Sequence, residues 1–340
     1  MYTVEDVPAD WSDEFVADIN AFENAWRLAV DPATPPMPAS TTRAHRDLRA
    51  DPMHIFAARD AGGQVVGTAW IDAASHNRHL LFALIAVSPT HRQCGVATQL
   101  LERVVAFAEA DGRPQLLLAS DYVDGAAEAF AASLGAVAGV WSHINQLVVA
   151  DVDLDQMQAW VDNSDDDYDI EWVTPDGPYP ESALADMARL RSVLLNDAPM
   201  GDVPLETRTI SVDEVRKDEE RLAGYGKTRW TVIARHRASG DPVGYTELFV
   251  DPGNPATLNQ GATAVDRGHR GHRLGRQLKA HAFLRVLRER PETKFIRTFN
   301  ADSNAPMLAV NEAMGFKPLF AACRWLLDTN DAKTWLEKRR

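Results

Sequence analysis

The sequence predicts an α+β fold written twice in one chain, and three observations carry that prediction. Short apolar runs with strand periodicity are mixed with amphipathic helical stretches, the order expected of sheets flanked by helices rather than of a strictly alternating parallel sheet. Arg92-Gln93-Cys94-Gly95-Val96-Ala97 recurs in altered form as Arg270-Gly271-His272-Arg273-Leu274-Gly275, each time between an apolar run and an amphipathic helix. The offset between copies is nearly constant: 178 residues from Arg92 to Arg270, 177 from Gly67 to Gly244 and 180 from Gly135 to Gly315. A fixed period across separate landmarks marks duplicated architecture, and a length of 340 residues suits two domains of roughly 170 each. The expected domains are 1–152 and 169–340, joined by the acidic stretch 153–168 with its Asn163-Ser164-Asp165-Asp166-Asp167 cluster.

In the first half, Ser12 to Leu28 predicts a helix, with Ser12 as cap and Phe15, Ile19, Phe22 and Trp26 along one face. The proline-rich stretch from Pro32 to Pro38 ends it. Met53 to Ala58 and Val65 to Asp72 predict two strands around the turn Asp60-Ala61-Gly62-Gly63, and Leu80 to Val87 a third, fully apolar strand. Val96, Leu100, Leu101, Val104, Val105 and Ala108 form a helical stripe that closes near Gly112. A strand over Gln115 to Ala119, a helix over Gly125 to Leu134 and a strand over Ile144 to Val149 complete the copy. The second half repeats this order. Helices are expected over Glu181 to Leu195 and Val212 to Ala223, and a hairpin over Trp230 to Arg235 and Val243 to Val250. A strand over Gln260 to Val265 leads to the second loop and a helix over Leu274 to Arg288. Thr293 to Asn300, Asn304 to Ala313 and the segment after Phe316 finish the set.

Composition excludes several classes of function. With 45% apolar residues, two cores can be buried. The net charge of −14 argues against a general nucleic-acid or anionic-membrane surface. The acidic start, Met1-Tyr2-Thr3-Val4-Glu5-Asp6, is unlike a signal peptide, and Leu80 to Val87 is too short an apolar run to span a bilayer. Cys94 and Cys323, the two cysteines, fit a reducing compartment without disulfides, so a cytoplasmic protein is expected. Against the overall charge, Asp266 to Arg297 holds ten Lys or Arg and three acids, a local net of +7 beginning at the second loop. A strand, a short loop and a helix start together make an anion site, where backbone amides converge at the positive end of the helix dipole. His269 and His272 have the spacing of a metal pair, but no second ligand pair follows, so no metal is expected. Cys94 reads as a small loop residue, and Trp141, Trp160, Trp172 and Trp230 as core and interface aromatics.

At the loops a family resemblance becomes specific. Arg92-Gln93-Cys94-Gly95-Val96-Ala97 resembles the (Gln/Arg)-x-x-Gly-x-(Gly/Ala) signature of the GNAT acetyltransferases, with Val87-Ser88-Pro89 where that family has Val-x-Pro. Asn300-Ala301-Asp302-Ser303-Asn304, followed by Asn311 and Gly315-Phe316, resembles its Asn-x-x-Ala-x-x-x-Tyr-x-x-x-Gly-Phe motif. The resemblance implies two tandem GNAT-like domains, each a mixed, mostly antiparallel sheet flanked by helices, and acetyl-CoA as cosubstrate. It further implies that Ile85, Ala86 and Val87, and in the other copy Thr263, Ala264 and Val265, hold the pantetheine arm. Amides of Gln93, Cys94, Gly95, Val96 and Ala97, and of Gly271, His272, Arg273, Leu274 and Gly275, would hold the phosphates, with Arg92 and Arg270 adding charge and Asn304 assisting. Small residues at Ala97 and Gly275 would let the helix backbone approach the ligand.

The sequence departs from the family in two ways. Arg273 stands where the family has its middle glycine, and would either block the loop or extend its guanidinium onto a phosphate; αR geometry at the helix start, which suits a non-glycine residue, favours the second. The family's tyrosine acid is replaced by Asn311 in the second half and Ala131 in the first, where Asp124, Ala127, Ala131 and Gly135-Ala136 form a degenerate second motif. Chemistry is expected in the second half. Glu247, in Gly244-Tyr245-Thr246-Glu247-Leu248, reads either as general base or as an outward strand carboxylate. Asn300 reads as holding the acceptor or the thioester carbonyl, or as closing a strand end. The resulting expectation is transfer of acetyl from acetyl-CoA to a primary amine of a small molecule by direct attack. The chain would be a monomer or homodimer, with neither nucleic acid nor membrane as partner. The missing tyrosines leave a non-catalytic CoA-binding or interaction protein as the alternative.

Overall fold

The computed structural model describes residues 2–8, 10–47, 53–120, 125–174 and 177–339. The chain forms two compact units from interleaved segments. The first unit contains Met1–Trp141, Met200–Glu206 and Ala321–Arg340, and the second Ser142–Pro199 and Thr207–Phe320.

In the first unit, strand β1 (Thr3–Asp6) is followed by helices α1 (Asp13–Val30) and α2 (Ala39–Asp47) and strands β2 (Met53–Arg59), β3 (Val65–Asp72) and β4 (Leu80–Val87). Helix α3 (Val96–Ala110), strand β5 (Gln115–Ser120) and helix α4 (Gly125–Leu134) come next. Ser12 caps α1, its Oγ accepting from the Phe15 amide at 3.1 Å. The α3 stripe is buried as its spacing predicts and packs with Ala69, Ile71, Leu81 and Ala83 on one face of the sheet. Trp11, Val16 and Ile19 cover Ile55 in a separate core. The strand order is β1-β2-β3-β4-β5, and the next place is taken by β12 (Lys317–Asp328), a strand that follows the whole second half in sequence. Strands β4 and β5 run parallel; β12 lies antiparallel to β5, with Cys323 opposite Ser120. Helix α10 (Thr329–Glu337), which the sequence pattern missed, joins the same core through Ala332 and Leu336.

The second unit repeats the plan. Residues Ser142 to Val148 of β6 (Val137–Val148) pair with β11 (Phe295–Ala301), in the sheet order β6-β11-β10-β9-β8-β7. Here β7 is Tyr168–Thr174, β8 Thr228–His236, β9 Pro242–Val250 and β10 Thr257–Val265. The acidic stretch expected as a plain connection instead carries α5 (Leu154–Asp162). Asp153 caps it, accepting from the Gln156 amide at 3.0 Å, and Met157 is fully buried. Helix α8 (Leu274–Glu289) packs on one face of this sheet, and α6 (Glu181–Asp197) with α7 (Val212–Gly224) on a separate core around Tyr245. Helix α9 (Ala305–Met314) follows β11.

The repeated landmarks have a steric cause. A Cβ on Gly67 would lie 2.9 Å from Val96 Cγ1 and 3.1 Å from the Ala86 carbonyl; on Gly244 it would lie 3.0 Å from the Ala264 carbonyl and 3.2 Å from Val265 Cγ2. Each glycine faces the end of the strand that leads into the loop, Gly67 opposite Val87 and Gly244 opposite Val265. The gap left by the absent side chain is what admits the neighbouring strand end.

Lys279, on the inner side of α8, is 1% exposed. Its Nζ donates to Asn311 Oδ1 at 2.8 Å, and Asn311 Nδ2 donates to Asn300 Oδ1 at 2.6 Å. With no carboxylate in this chain of bonds, burial pushes the Lys279 ammonium down to about 7.

Two outcomes follow from these contacts. Gly67→Ala should destabilise the first unit by about 1 to 3 kcal/mol, because the stiff Val96 side chain and a backbone carbonyl must both give way; denaturant unfolding measures this. Between the folded value near 7 and the ordinary value of 10.5, the unfolded state binds the Lys279 proton and the folded state does not. Stability of the wild type relative to Lys279→Met should therefore rise with pH across that window and be flat below it. Urea midpoints of the two proteins at several pH values test the slope.

Candidate functional site

The site is set by where strands part. In the first unit β4 pairs with β5 from Leu80 opposite Gln115 to Leu84 opposite Ala119, and among the described residues the pairing ends there, while β4 stays bonded to β3 as far as Val87. Ile85, Ala86 and Val87 thus present one backbone edge without a neighbouring strand. The second unit parts in the same way: β10 follows β11 from Thr257 opposite Phe295 to Gln260 opposite Thr298, and β9 as far as Val265.

Both loops share one backbone device. The first and third positions after the arginine are left-handed: Gln93 (φ 58°) and Gly95 (φ 84°) in one copy, Gly271 (φ 91°) and Arg273 (φ 62°) in the other. Alternating handedness turns successive amides inward and forms an anion nest. Arg273 is therefore not in the αR conformation expected of it. It holds the left-handed place that Gly95 fills in the first copy, where a non-glycine residue costs about 1 to 2 kcal/mol. At the start of α3, the first helical hydrogen bond runs from the Gln99 amide to the Gly95 carbonyl at 3.1 Å. The amides of Val96, Ala97 and Thr98 precede it and have no intrahelical acceptor.

In the first unit these parts line one cavity of about 530 Å³. Leu84, Ile85, Ala86 and Val87 form one side and Leu118, Ala119 and Ser120 the facing side. The loop end is made by His91, Arg92, Gln93, Gly95, Ala97 and Thr98, and α4 supplies a wall that includes Ala127, Phe130 and Ala131. Trp26 and Trp325 complete it. Arg92 Nε reaches the Val87 carbonyl at 3.5 Å. Of the expected first-copy residues, Cys94 is exposed and absent from the lining, and the Val96 side chain is in the core, leaving only its amide at the helix start. Asp124 lies outside the described residues. Sequence reasoning missed Trp26, Ser120 and Trp325. Helix and strand periodicity gave no signal that these three meet, and Trp325 comes from a strand 205 residues beyond Ser120.

In the second unit Arg270 and His272 of the loop are already engaged by carboxylates. Arg270 Nε donates to the Val265 carbonyl at 3.0 Å, as its counterpart does in the first copy, but its Nη2 is held by Asp197 at 2.7 Å. Arg267 binds the same carboxylate at 2.6 Å. The Arg267 hydrogen bond, with help from Arg270, holds the Asp197 carboxyl below its ordinary range. His272 Nδ1 meets Asp165 at 2.8 Å, and His269 Nδ1 meets the Tyr168 hydroxyl at 2.9 Å. Thr263 is bonded to Thr246 at 2.7 Å, Ala264 is packed against α6, and Leu274 is in the core. Gly275 has open space around it, and Asn304 stands at the start of α9 without a side-chain cap bond.

The two residues expected to carry chemistry are enclosed in side-chain networks. Glu247 is 4% exposed, so it is not an outward strand carboxylate. Its Oε1 accepts from the Tyr179 hydroxyl at 3.0 Å and lies 3.6 Å from Arg229 Nη1. Arg229 also donates to Glu219 at 2.9 Å, and Glu219 accepts the Tyr179 amide at 2.6 Å. Burial, aided by the Glu247 charge, pushes the Tyr179 phenol well above its ordinary value, so it serves as a donor. Asn300 has its carbonyl oxygen taken by Asn311, the residue at the tyrosine position. Neither Glu247 nor Asn300 lines the cavity of the first unit.

The profile of the Acetyltransferase (GNAT) family matches residues 19–136 and 200–316, one match for each copy. No curated protein matches the sequence. Among solved structures, the chain is similar to a tandem GNAT protein from the clavulanic acid biosynthesis pathway, determined without AcCoA. That match has 25% identity and a TM-score of 0.76 over 97% of this chain and 99% of that one. It also shares its fold with a GCN5-related N-acetyltransferase from Sphaerobacter thermophilus, at 11% identity and a TM-score of 0.69 over 96% of each chain. A glucosamine N-acetyltransferase region of a fungal multi-domain protein matches at 15% identity and a TM-score of 0.65, over 96% of this chain and 38% of that one. With both halves matched, in a fold whose parallel strands part ahead of an amide-lined loop, the chain belongs to the GNAT acetyltransferase family as a tandem member.

Proposed function

We propose that the first unit binds acetyl-CoA and that the protein transfers the acetyl group to a primary amine of a small molecule by direct attack. The observation that supports this reading is the convergence, on one cavity, of the parted β4 edge, the loop amides and Arg92. The donor set suits the cosubstrate. A backbone edge without a strand neighbour matches the amides of a pantetheine arm, and the nest and helix start match a pyrophosphate. The bound thioester would supply an activated acyl carbon with a fair leaving group (a thiol pKa of roughly 8.5). Proximity and orientation can contribute roughly 7 to 11 kcal/mol to such a reaction, so the absence of a tyrosine at Ala131 does not remove the basis for catalysis.

The same reasoning leaves the second unit outside cosubstrate binding. Arg270 and His272, which would meet phosphate, already have Asp197 and Asp165 as partners, and an incoming anion would have to break those pairs. Glu247 and Asn300 serve the fold of that unit in this reading. A second reading, a CoA-binding protein without transferase activity, is favoured by one observation: Ala131 carries no proton donor at the family's tyrosine position.

Two experiments check these readings. Ala97→Glu puts an acid into the first turn of α3, which has none and where the helix dipole tolerates one, and places a carboxylate at the phosphate end of the cavity. Calorimetry should show at least about tenfold weaker CoA binding, a loss of roughly 1.4 kcal/mol, with the fold intact. Arg270→Ala should leave affinity and a stoichiometry of one CoA per chain unchanged; a loss there would return the second loop to cofactor binding. Free-thiol release from acetyl-CoA should accompany addition of an amine from a panel of polyamines, aminoglycosides and amino acids. Stoichiometric CoA binding with no release for any amine would leave the binding-protein reading standing.

A further inference from the structure

We infer that Ser120, aimed by Trp325, is the hydrogen-bond donor to the sulfur of the bound acyl-CoA. This inference rests on the reading of the first unit as the cosubstrate site. Ser120 is the residue after Ala119, where the pairing of β4 with β5 ends, so it stands at the vertex of the parted strands and lines the cavity there. The phosphate end lies at the loop that follows Val87, and the arm entering along Val87, Ala86 and Ile85 brings its far, reacting end to this vertex. Leu84, Leu118, Ala119, Phe130 and Ala131, which line the cavity around Ser120, have no polar side-chain atoms.

The orientation of the hydroxyl follows from its partner. Trp325 Nε1 lies 3.0 Å from Ser120 Oγ. An indole N–H can only donate, so Ser120 must accept with a lone pair and keeps its own O–H for another acceptor. Among the described residues no protein group accepts it. A hydroxyl with its lone pair occupied and its proton unclaimed, in an otherwise apolar recess, suits a soft acceptor that gains negative charge. The leaving sulfur is such a group. As the C–N bond forms and the C–S bond breaks, the C–S electron pair stays on sulfur. The proton lost by the amine nitrogen ends there, Ser120 passing its own proton to sulfur while taking the amine's. Ser120 would thus do from the end of β5 what a phenol at position 131 would do from α4.

The test reads the bound thiol directly and needs no acceptor. CoA bound to the protein is titrated with base, and the ultraviolet absorbance of the thiolate is followed as a difference from the protein alone. Ser120→Ala should raise the apparent pKa of the bound thiol by about one unit or more, the effect of losing a hydrogen bond to a charged atom. CoA affinity well below that pKa should be retained. Trp325→Phe keeps an aromatic ring in the core but removes the indole N–H and so frees the hydroxyl to rotate; it should raise the pKa in the same direction by less. CoA binding with an unchanged thiol pKa in Ser120→Ala would overturn the inference and leave the cosubstrate reading intact. Failure of the wild-type protein to bind CoA would overturn the cosubstrate reading, and this inference with it.

Discussion

The site in the first unit depends on one constraint: a buried backbone group must have a hydrogen-bond partner. Where β4 and β5 run side by side they satisfy each other, and the strand can be wholly apolar, as Leu80 to Leu84 are. Past Leu84 that arrangement ends, and the main chain of Ile85 to Val87 borders a cavity instead of a strand. The rest of the unit keeps that edge open and usable. A parallel pair needs a crossover, so α3 leaves directly from the loop and brings its unpaired amides to the same end of the cavity. Gly67 lets the last residues of β4 lie close to β3 while Val96 packs beneath them.

The second copy keeps the architecture but surrounds its loop differently. Its strands part, its loop repeats the left-handed pair, and its arginine bonds to the carbonyl at the strand end as in the first copy. The difference lies in the neighbours. Asp197 on α6 pairs with Arg267 and Arg270, Asp165 ahead of β7 bonds to His272, and Lys279, Asn311 and Asn300 form an internal chain of amide and amine bonds. Placing an ammonium in a core without a counter-charge is expensive, and the ladder of three polar side chains limits that cost by giving the amine an acceptor while burial favours its neutral form. The basic run from Asp266 to Arg297, which in sequence resembles a ligand surface, is in part the complement of acids contributed from elsewhere in the unit.

Much of the fold was legible because local pattern and tertiary role agreed. The α3 stripe, the apolar β4, the cap at Ser12 and the helix over Gly125 to Leu134 all appear where periodicity and capping chemistry put them. The elements that escaped, β1, α2, α5, β7 and α10, are short. Tyr168, Ile170 and Trp172 do alternate in β7, but the acids around them obscured the signal. The loops were readable as short connections between a strand and a helix start, yet the handedness of Arg273 was not, because a left-handed arginine departs from local preference and only the surrounding fold enforces it. The roles of Glu247 and Asn300 were illegible for a different reason. Whether a polar strand residue meets solvent, ligand or another side chain is decided by helices such as α6, α7 and α9, which approach from other parts of the chain.

The placement of β12 has a consequence for how the molecule comes into being. The first sheet takes its last strand, and the cavity its Trp325 wall, from residues made after the entire second half. During synthesis the N-terminal portion can collapse around α3, but its sheet keeps an uncovered β5 edge until β12 leaves the ribosome. Contacts so distant in sequence are slow to form, and an exposed edge is prone to wrong pairing while it waits. The order of assembly therefore runs against the order of translation. The half that is made first waits for a strand made after the other half, and a chain interrupted before β12 would lose the Trp325 wall of a cavity otherwise built from its first half.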